Sequence, residues 1–150
     1  MTSETLAGRP PLRVEWLGRL PYLDGVRLQR ERVEARRNGL EPDTLLLLEH
    51  PPVITLGRGA HSGNVLLSTR DLRERGIEVH ESGRGGDVTY HGPGQLVGYP
   101  VVALGKDERD AHGDLRSLEE ALIHTSADYG IRAGRREGLT GVWAGEAKLA

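Results

Sequence analysis

The sequence predicts one domain of the α/β or α+β class, and three observations support this. The 150 residues are enough for one domain of ordinary size and too few for two. Short apolar runs typical of strands alternate with segments whose apolar residues recur at helical spacing. Hydrophobic residues make up 37% of the chain, with no Phe, two Trp and four Tyr. The expected core is therefore packed and mainly aliphatic.

The first elements follow from the local pattern. Residues 1–12 are expected to form a flexible lead that ends in a pair of prolines. Residues 13–17 alternate loosely between apolar and polar types and predict a strand. Residues 24–37 predict a helix, which Gly39 ends. The apolar side of this helix is predicted to carry three residues: Leu23, Val26 and Val33.

The central part of the chain predicts three more strands and one short helix before a glycine-rich segment. Residues 44–48 form a continuous apolar run, which predicts a strand buried on both faces. Residues 53–56 predict a second short strand after two prolines. Residues 68–75 predict a short helix that Ser68 caps, and residues 77–81 alternate as a strand.

The last part of the chain predicts a strand, a helix and a hairpin. Residues 96–104 are an extended apolar stretch, and Pro100 within it indicates an edge strand or a bulge. Residues 115–129 predict the clearest helix, with Asp114 as its expected cap. Its apolar residues at helical spacing are Leu115, Leu118, Leu122 and Tyr129. Residues 139–150 predict a strand, a turn and a second strand.

Composition excludes several functional classes. A net charge of −2 and a pI near 6.3 argue against a general nucleic-acid binder. The absence of cysteine excludes disulfides, thiolate metal sites and a cysteine nucleophile within these residues. No apolar run is long enough to span a membrane, and the first ten residues lack the apolar region of a secretory signal. A cytoplasmic location is therefore expected.

The most informative segment is 82–98, SGRGGDVTYHGPGQLVG, which contains six glycines. Glycine at this density costs conformational entropy, and it is useful where the backbone must approach a ligand closely. Arg84, His91 and Gln95 add a cation, an imidazole and an amide, a set that suits a polar head group beside apolar strands. The alternative is a flexible hairpin loop with incidental polar residues. The spacing matches neither a Walker P-loop nor a dinucleotide-binding fingerprint.

The run from Arg84 to Gln95, RGGDVTYHGPGQ, closely resembles the signature of the lipoyl(octanoyl) transferase family. Residues 45–58 (LLLLEHPPVITLGR) and 139–150 (LTGVWAGEAKLA) extend the resemblance over most of the chain. The family's fold is similar to that of the biotin and lipoate protein ligases. The resemblance therefore implies a mixed β-sheet flanked by helices.

The resemblance also implies an activity. The family transfers an octanoyl group from acyl carrier protein to one lysine of its acceptors. These acceptors are the lipoyl domains of 2-oxoacid dehydrogenases and the glycine-cleavage H protein. The reaction passes through a cysteine thioester, with a lysine that lowers the thiol pKa, and needs no ATP, cofactor or metal. The residues that correspond to the family's acyl-substrate site are Arg84, Gly85, Gly86, Asp87, Val88, Thr89, Tyr90 and His91.

Lys148 corresponds to the catalytic lysine of the family, and the composition also draws attention to it. Eighteen of the twenty basic residues are Arg, and the two lysines are Lys106 and Lys148. Lysine, unlike arginine, can lose its proton when desolvated and can stabilise a nearby thiolate. The alternative, without the resemblance, is a lysine present by chance on an edge strand.

The remaining polar residues are given more limited roles. Asp87 is expected to be a solvated turn residue, although it lies within the segment that corresponds to the substrate site. For His50, strand termination and a role in the site remain equally open. The other histidines lack metal-ligand spacing and are interpreted as surface or structural residues: His61, His80, His112 and His124.

The sequence departs from the family in one respect. The family's nucleophilic cysteine lies downstream of the lysine, and this sequence has no cysteine and two residues after Lys148. We therefore expect residues 13–150 to be the N-terminal major part of a single acyltransferase domain. The last elements of the sheet would be missing, and this part alone would be inactive.

Two other functions remain open. One is an ATP-dependent lipoate–protein ligase, which would activate free lipoate as an adenylate. The other is a non-catalytic module that docks lipoyl domains or acyl carrier protein. Arg135, Arg136 and the Arg-rich helix at 27–37 are candidates for docking an acidic carrier protein, and the simpler interpretation is a solvated face.

Overall fold

A computed structural model describes residues 11–104 and 111–150 of the chain. The chain divides into two compact units, one up to Ala103 and one from Leu104 onward. The elements of the first unit are β1 (Arg13–Arg19), α1 (Tyr22–Arg37), β2 (Thr44–Glu49), β3 (Val53–Leu56), a 3₁₀ turn (Ser62–Asn64), α2 (Thr69–Glu74), β4 (Glu78–Glu81), β5 (Val88–His91) and β6 (Val97–Val101). Those of the second unit are α3 (Ala111–Asp128), β7 (Trp143–Ala144) and β8 (Ala147–Lys148). The mixture of helices with parallel and antiparallel strands confirms the predicted class.

The first unit contains two three-stranded mixed sheets. In one, β2 lies between β1, which runs parallel to it, and β6, which runs antiparallel. In the other, β3 lies between the parallel strand β4 and the antiparallel strand β5. Pro100 lies on β6 and pairs with Leu45 of β2. Among the residues described, β6 is an edge strand of its sheet, which confirms the edge strand that Pro100 predicted.

Strand β2 is buried on one face only, so the predicted burial on both faces is wrong. Thr44, Leu46 and Leu48 are fully buried, whereas Leu45 and Leu47 are half-buried. On the half-buried face the neighbouring strand presents Gly98, which carries no side chain to cover these leucines. The strand therefore alternates, as in sheets with one fully packed face.

Helix α1 begins two residues before the predicted start, and its buried face differs from the prediction. Leu23 is 58% exposed and Val33 37%, while Tyr22 and Gly25 are buried. A Cβ added at Gly25 would lie 3.1 Å from Cε1 of His50. The missing side chain lets the helix approach the buried imidazole closely, and this fixes which face of the helix is buried.

The Arg-rich surface of α1 is partly committed to internal ion pairs. Arg32 donates to Glu15 at 3.0 Å and to Glu41 at 2.8 Å, and Arg36 donates to Asp43 at 2.6 Å. These half-buried pairs join the helix to Glu15 within β1 and to the residues just before β2. They leave fewer cations of this helix available for docking an acidic partner.

The caps of the first unit follow the sequence prediction. Ser68 accepts a hydrogen bond from the Asp71 N–H at 3.1 Å and so caps α2. Gly39, at a φ of +72°, follows the end of α1 in the left-handed conformation that glycine tolerates.

In the second unit, α3 is confirmed as a helix but its start and its buried face differ from the prediction. The helix begins at Ala111, so Asp114 lies within the first turn and does not cap it. Leu118 and Leu122 are partly exposed, whereas Glu119 is buried at 2% exposure. Strands β7 and β8 pair as the predicted hairpin.

Two further observations concern the described residues. No helix among residues 11–104 and 111–150 combines the length and apolar character needed to cross a bilayer. The predicted lead at 1–12 lies outside these residues, except for its last two positions. Lys106 also lies outside them.

Candidate functional site

The glycine-rich loop before β5 is fastened to the loop after β3 by backbone hydrogen bonds. Gly57 donates to the Asp87 carbonyl, Arg58 to the Arg84 carbonyl and Gly59 to the Gly86 carbonyl, each at 3.0 Å. A Cβ at Gly57 would collide with the carbonyl oxygens of Gly86 and Gly85. Glycine at position 57 is therefore required by close packing of two backbones, a role that the sequence analysis did not assign.

The side chain of Arg84 holds the same loop against β3 and β5. Its guanidinium donates to the Thr55 carbonyl and hydroxyl, both at 2.9 Å, and to the Thr89 hydroxyl at 2.8 Å. It also donates to the Gly85 carbonyl at 2.9 Å. This fork of donors orders the loop before any ligand arrives. Its direct contact with substrate stays a prediction.

Asp87 is exposed and lies in a bend, as expected of a solvated turn residue, and its carboxylate also has hydrogen-bond partners. Its carboxylate accepts hydrogen bonds from the His61 N–H at 3.1 Å and from the Asn64 side chain. The backbone N–H of His61, with the Asn64 amide, lowers the pKa of Asp87 below its usual value. Asp87 thus joins the glycine-rich loop to the 3₁₀ turn at 62–64.

The rest of the predicted acyl segment forms β5. Val88, Thr89, Tyr90 and His91 pair with β3, and Thr89 lies opposite Thr55. The Tyr90 side chain is half exposed, and its ring lies over Gly92, where a Cβ would come within 2.8 Å of Cε1. The segment is therefore a loop followed by an ordered strand, which contradicts the alternative of a flexible hairpin.

His50, just after β2, is fully buried and links three parts of the first unit. Its Nδ1 lies 2.6 Å from the Leu20 carbonyl, which can only accept, so Nδ1 carries the proton. Its Nε2 then accepts from the Tyr99 hydroxyl at 2.8 Å. Burial lowers the pKa of His50, and burial raises the pKa of Tyr99 to about 12. Both groups are consequently neutral at pH 7.

His91 lies next to this buried pair. Its ring packs edge-on against His50 with 6.0 Å between centroids. Its Nδ1 lies 2.7 Å from the side-chain oxygen of Gln95. The half-buried His91 therefore connects the glycine-rich segment to the His50–Tyr99 pair. Neither Tyr99 nor the link to His50 was predicted, because 49 residues separate the hydrogen-bonded pair.

Lys148 lies on β8 in the second unit, opposite Trp143 of β7. It is exposed, and its Nζ lies 5.8 Å from the centroid of the Trp143 ring. Arg136 lies over the same ring at 5.1 Å. The Lys148 stem passes close to Gly141, where a Cβ would be 2.7 Å from Cε.

The predicted site residues thus fall into two groups. The segment Arg84–His91 is assembled in the first unit together with Thr55, Gly57 and His50. Lys148 belongs to the second unit, where the hairpin and Trp143 hold it. Among residues 11–104 and 111–150, no group of three His, Asp or Glu side chains could hold a metal ion.

Comparison with known sequences identifies the family. The model of the lipoyl protein ligase A/B catalytic domain matches residues 21–150. The octanoyltransferase of Acidobacterium capsulatum is 55% identical over 134 residues, covering 85% of this chain and 54% of that protein. The octanoyltransferase of Solibacter usitatus is 52% identical, covering 89% of this chain and 61% of that protein. The chain thus spans a little over half the length of these curated relatives.

Solved structures support the fold. A bi-partite lipoate protein ligase from Thermoplasma acidophilum superposes with a TM-score of 0.62 at 20% identity, over 87% of this chain and 49% of that one. A lipoate-protein ligase A bound with ATP superposes with a TM-score of 0.65 at 19% identity, over 91% and 57%. The match to residues 21–150, with relatives more than 50% identical, shows that the chain belongs to the lipoyl protein ligase A/B catalytic domain family.

Proposed function

We propose that the protein containing this chain is an octanoyltransferase of protein lipoylation. The observation that carries the proposal is the identity of more than 50% with two octanoyltransferases. The ligases of similar fold are 19–20% identical, and such a likeness concerns the fold alone. The proposed donor is octanoyl–acyl carrier protein. The proposed acceptors are lipoyl domains of 2-oxoacid dehydrogenases and the glycine-cleavage H protein.

The acyl-substrate site is proposed to lie along Arg84, Gly85, Gly86, Asp87, Val88, Thr89, Tyr90 and His91. Three features support this placement. The loop is ordered by the Arg84 fork and by backbone bonds to residues 57–59. Gly85 has open space at its Cβ position, so a ligand can approach the backbone there. His91 offers its Nε2, since Nδ1 is engaged by Gln95.

The proposed chemistry is two acyl transfers through a cysteine. A cysteine gives up its thiol proton, and the thiolate attacks the carbonyl carbon of the octanoyl thioester; the carbon–sulfur bond to the carrier breaks, and the carrier leaves as a thiol after taking up that proton. The neutral amine of the acceptor lysine then attacks the enzyme thioester. The amide bond forms as the carbon–sulfur bond to cysteine breaks, and the proton lost by the amine restores the cysteine thiol. Lys148 is proposed to be the partner that lowers the pKa of this thiol. No cysteine occurs in the 150 residues, so the mechanism requires a thiol supplied from outside them.

The proposed location is the cytoplasm. A cysteine nucleophile must stay reduced between turnovers, and the cytoplasm keeps thiols reduced. The proposed reaction uses the carrier thioester as its activated donor, so it needs neither ATP nor a cofactor.

The test is a transfer assay with the complete protein. Octanoyl–acyl carrier protein and an unmodified lipoyl domain are incubated without ATP, and the mass of the lipoyl domain is followed. We expect the domain to gain one octanoyl group at one lysine. Strict dependence on ATP with free octanoate would instead indicate a ligase. Binding of the donor or the domain without any transfer would indicate a docking module.

Lys148→Ala in the complete protein is expected to abolish transfer, because the thiol loses the neighbouring cation that makes thiolate available. The unfolding midpoint should stay near that of wild type, since Lys148 is exposed. Lys106→Ala removes the other lysine of the chain and is the control. Near-normal turnover by Lys148→Ala would contradict the proposed role.

A further inference from the structure

Glu119 is a buried carboxylate in the second unit, and the proposed reaction leaves it without a role. Its side chain is 3% exposed. It accepts hydrogen bonds from Arg116 Nη1 at 2.7 Å, from Arg135 Nε at 3.0 Å and from the Gly141 backbone N–H at 2.8 Å. The Gly141 N–H, together with the arginines, lowers the pKa of Glu119. The carboxylate is therefore ionised and fully partnered.

The bond to Gly141 distinguishes this carboxylate from an ordinary ion pair. A buried charge needs compensation, and two arginines already supply it. In the third bond, the backbone N–H of Gly141, 22 residues further along the chain, donates to Oε1 of Glu119. It fixes the position of the residue that comes just before the final strands.

Gly141 in turn contacts Lys148. Gly141 has a φ of +111°, and a Cβ added there would meet the Ala150 carbonyl oxygen and Cε of Lys148. The next residue, Val142, donates to the Ala150 carbonyl at 2.9 Å and accepts from Leu149 at 2.8 Å. The chain at Gly141 and Val142 is thus one wall of the hairpin that carries Lys148.

We propose that Glu119 is a positioning residue for Lys148, acting through the Gly141 amide. The carboxylate holds Gly141, and Gly141 holds the stem of Lys148 and, through Val142, the end of β8. The catalytic part of this inference rests on the proposed function. One experiment therefore measures turnover, and a second measures the reactivity of Lys148 without turnover.

The matched pair of variants is Glu119→Gln and Glu120→Gln in the complete protein. Glu120 is next in sequence, is half exposed and also pairs with Arg135, at 2.8 Å. It makes no hydrogen bond to Gly141 among the contacts that the structure describes. Both variants remove one charge next to Arg135, and one of them weakens the bond to Gly141.

The first readout is kinetic. We expect Glu119→Gln to lower kcat about tenfold or more, with KM for the acyl donor unchanged. Misplacing a catalytic group slows the chemical step more than it weakens substrate binding. Glu120→Gln should keep the wild-type kcat.

The second readout is the rate at which acetic anhydride acetylates Lys148, measured by peptide mass spectrometry. Lys106, the other lysine of these 150 residues, is the internal reference in the same molecule. We expect Glu119→Gln to raise the Lys148/Lys106 ratio about threefold or more, because the Lys148 stem is then held less firmly against Gly141 and its amine is less often beside the Trp143 ring. An unchanged ratio, or an equal rise in Glu120→Gln, would overturn the inference.

The two readouts separate the inference from the proposed function. If the wild-type protein shows no octanoyl transfer, the proposed function fails, and the acetylation ratio still tests Glu119. If Glu119→Gln does not fold, Glu119→Asp replaces it. The shorter side chain keeps the charge for the arginines but withdraws from Gly141, and the same rise in acetylation is expected.

Discussion

Replacing Gly57 by alanine is expected to destabilise the protein through a clash between two loops. The φ of Gly57 is not positive, so alanine is compatible with its backbone conformation. The added Cβ would collide with the carbonyl oxygens of Gly86 and Gly85 and lie 2.9 Å from Nη1 of Arg84. Backbone atoms cannot rotate away as side chains can, so the loops must separate.

The expected loss of unfolding free energy has two sources, which are the steric overlap and the weakening of hydrogen bonds between the loops. Overpacking by one carbon costs about 1–3 kcal/mol. The three backbone hydrogen bonds between residues 57–59 and 84–87 contribute about 1 kcal/mol each, and those nearest Gly57 weaken first. We therefore expect Gly57→Ala to lower the free energy of unfolding by about 2–4 kcal/mol.

The assay is urea unfolding of the complete protein, followed by circular dichroism. Gly83→Ala is the matched control, because Gly83 lies in the loop that Gly57 contacts, has no positive φ and has open space at its Cβ position. We expect the control to change stability by less than about 0.5 kcal/mol. Equal midpoints for Gly57→Ala and Gly83→Ala would refute the argument that these backbones touch.

Three further predictions concern the first unit. The free energy of unfolding should fall as the pH drops below 6.5, because burial lowers the pKa of His50 and protonation then favours the unfolded chain. Urea midpoints of wild type and His50→Gln at about pH 5 and 7.5 measure this effect. An equal pH dependence in the variant would contradict it. Tyr99→Phe should lower the free energy of unfolding by about 1–2 kcal/mol in the same assay, because His50 Nε2 loses its hydrogen-bond donor. An unchanged midpoint would show that water replaces the hydroxyl. Arg84→Lys should lower the free energy of unfolding by about 1–3 kcal/mol, because a single ammonium cannot bond Thr55 and Thr89 as the guanidinium does. The variant should also bind the acyl donor more weakly. Wild-type affinity for the donor, measured by calorimetry, would argue against a role of Arg84 in ordering the site.

The elements that were predicted correctly depend on signals between near neighbours. The Ser68 cap and the glycine after α1 act within one helical turn, so the sequence alone reveals them. Strand β5 lies within the glycine-rich segment, where Thr89 and Tyr90 favour extended structure.

The buried faces of the helices were harder to predict, because they depend on what lies opposite. Gly25 is buried in α1 since the His50 ring lies against it, and no local pattern shows this contact. In α3 the spacing of Leu118 and Leu122 favours burial, but the buried residue between them is Glu119. Its partners Arg135 and Gly141 lie beyond the helix, outside any local window.

The candidate site shows the same division. Composition drew attention to the glycine-rich segment 82–98 and to Lys148, and the resemblance assigned the substrate-site role of Arg84 to His91 and the catalytic role of Lys148. Thr55 and Gly57 were missed because their roles come from loop contacts with residues about 30 positions away. A glycine directly after the buried strand β3 was the available signal for Gly57.

Trp143 provides an optical probe of the Lys148 hairpin. The chain has two tryptophans, and the other, Trp16, lies on β1 and is largely exposed. The Trp143 indole has Arg136 and Lys148 as cations near its ring. Its fluorescence therefore responds to changes in the charge or position of Lys148. In a variant that keeps Trp143 as its only tryptophan, the emission wavelength and lifetime would follow changes around Lys148 in real time, without any attached dye.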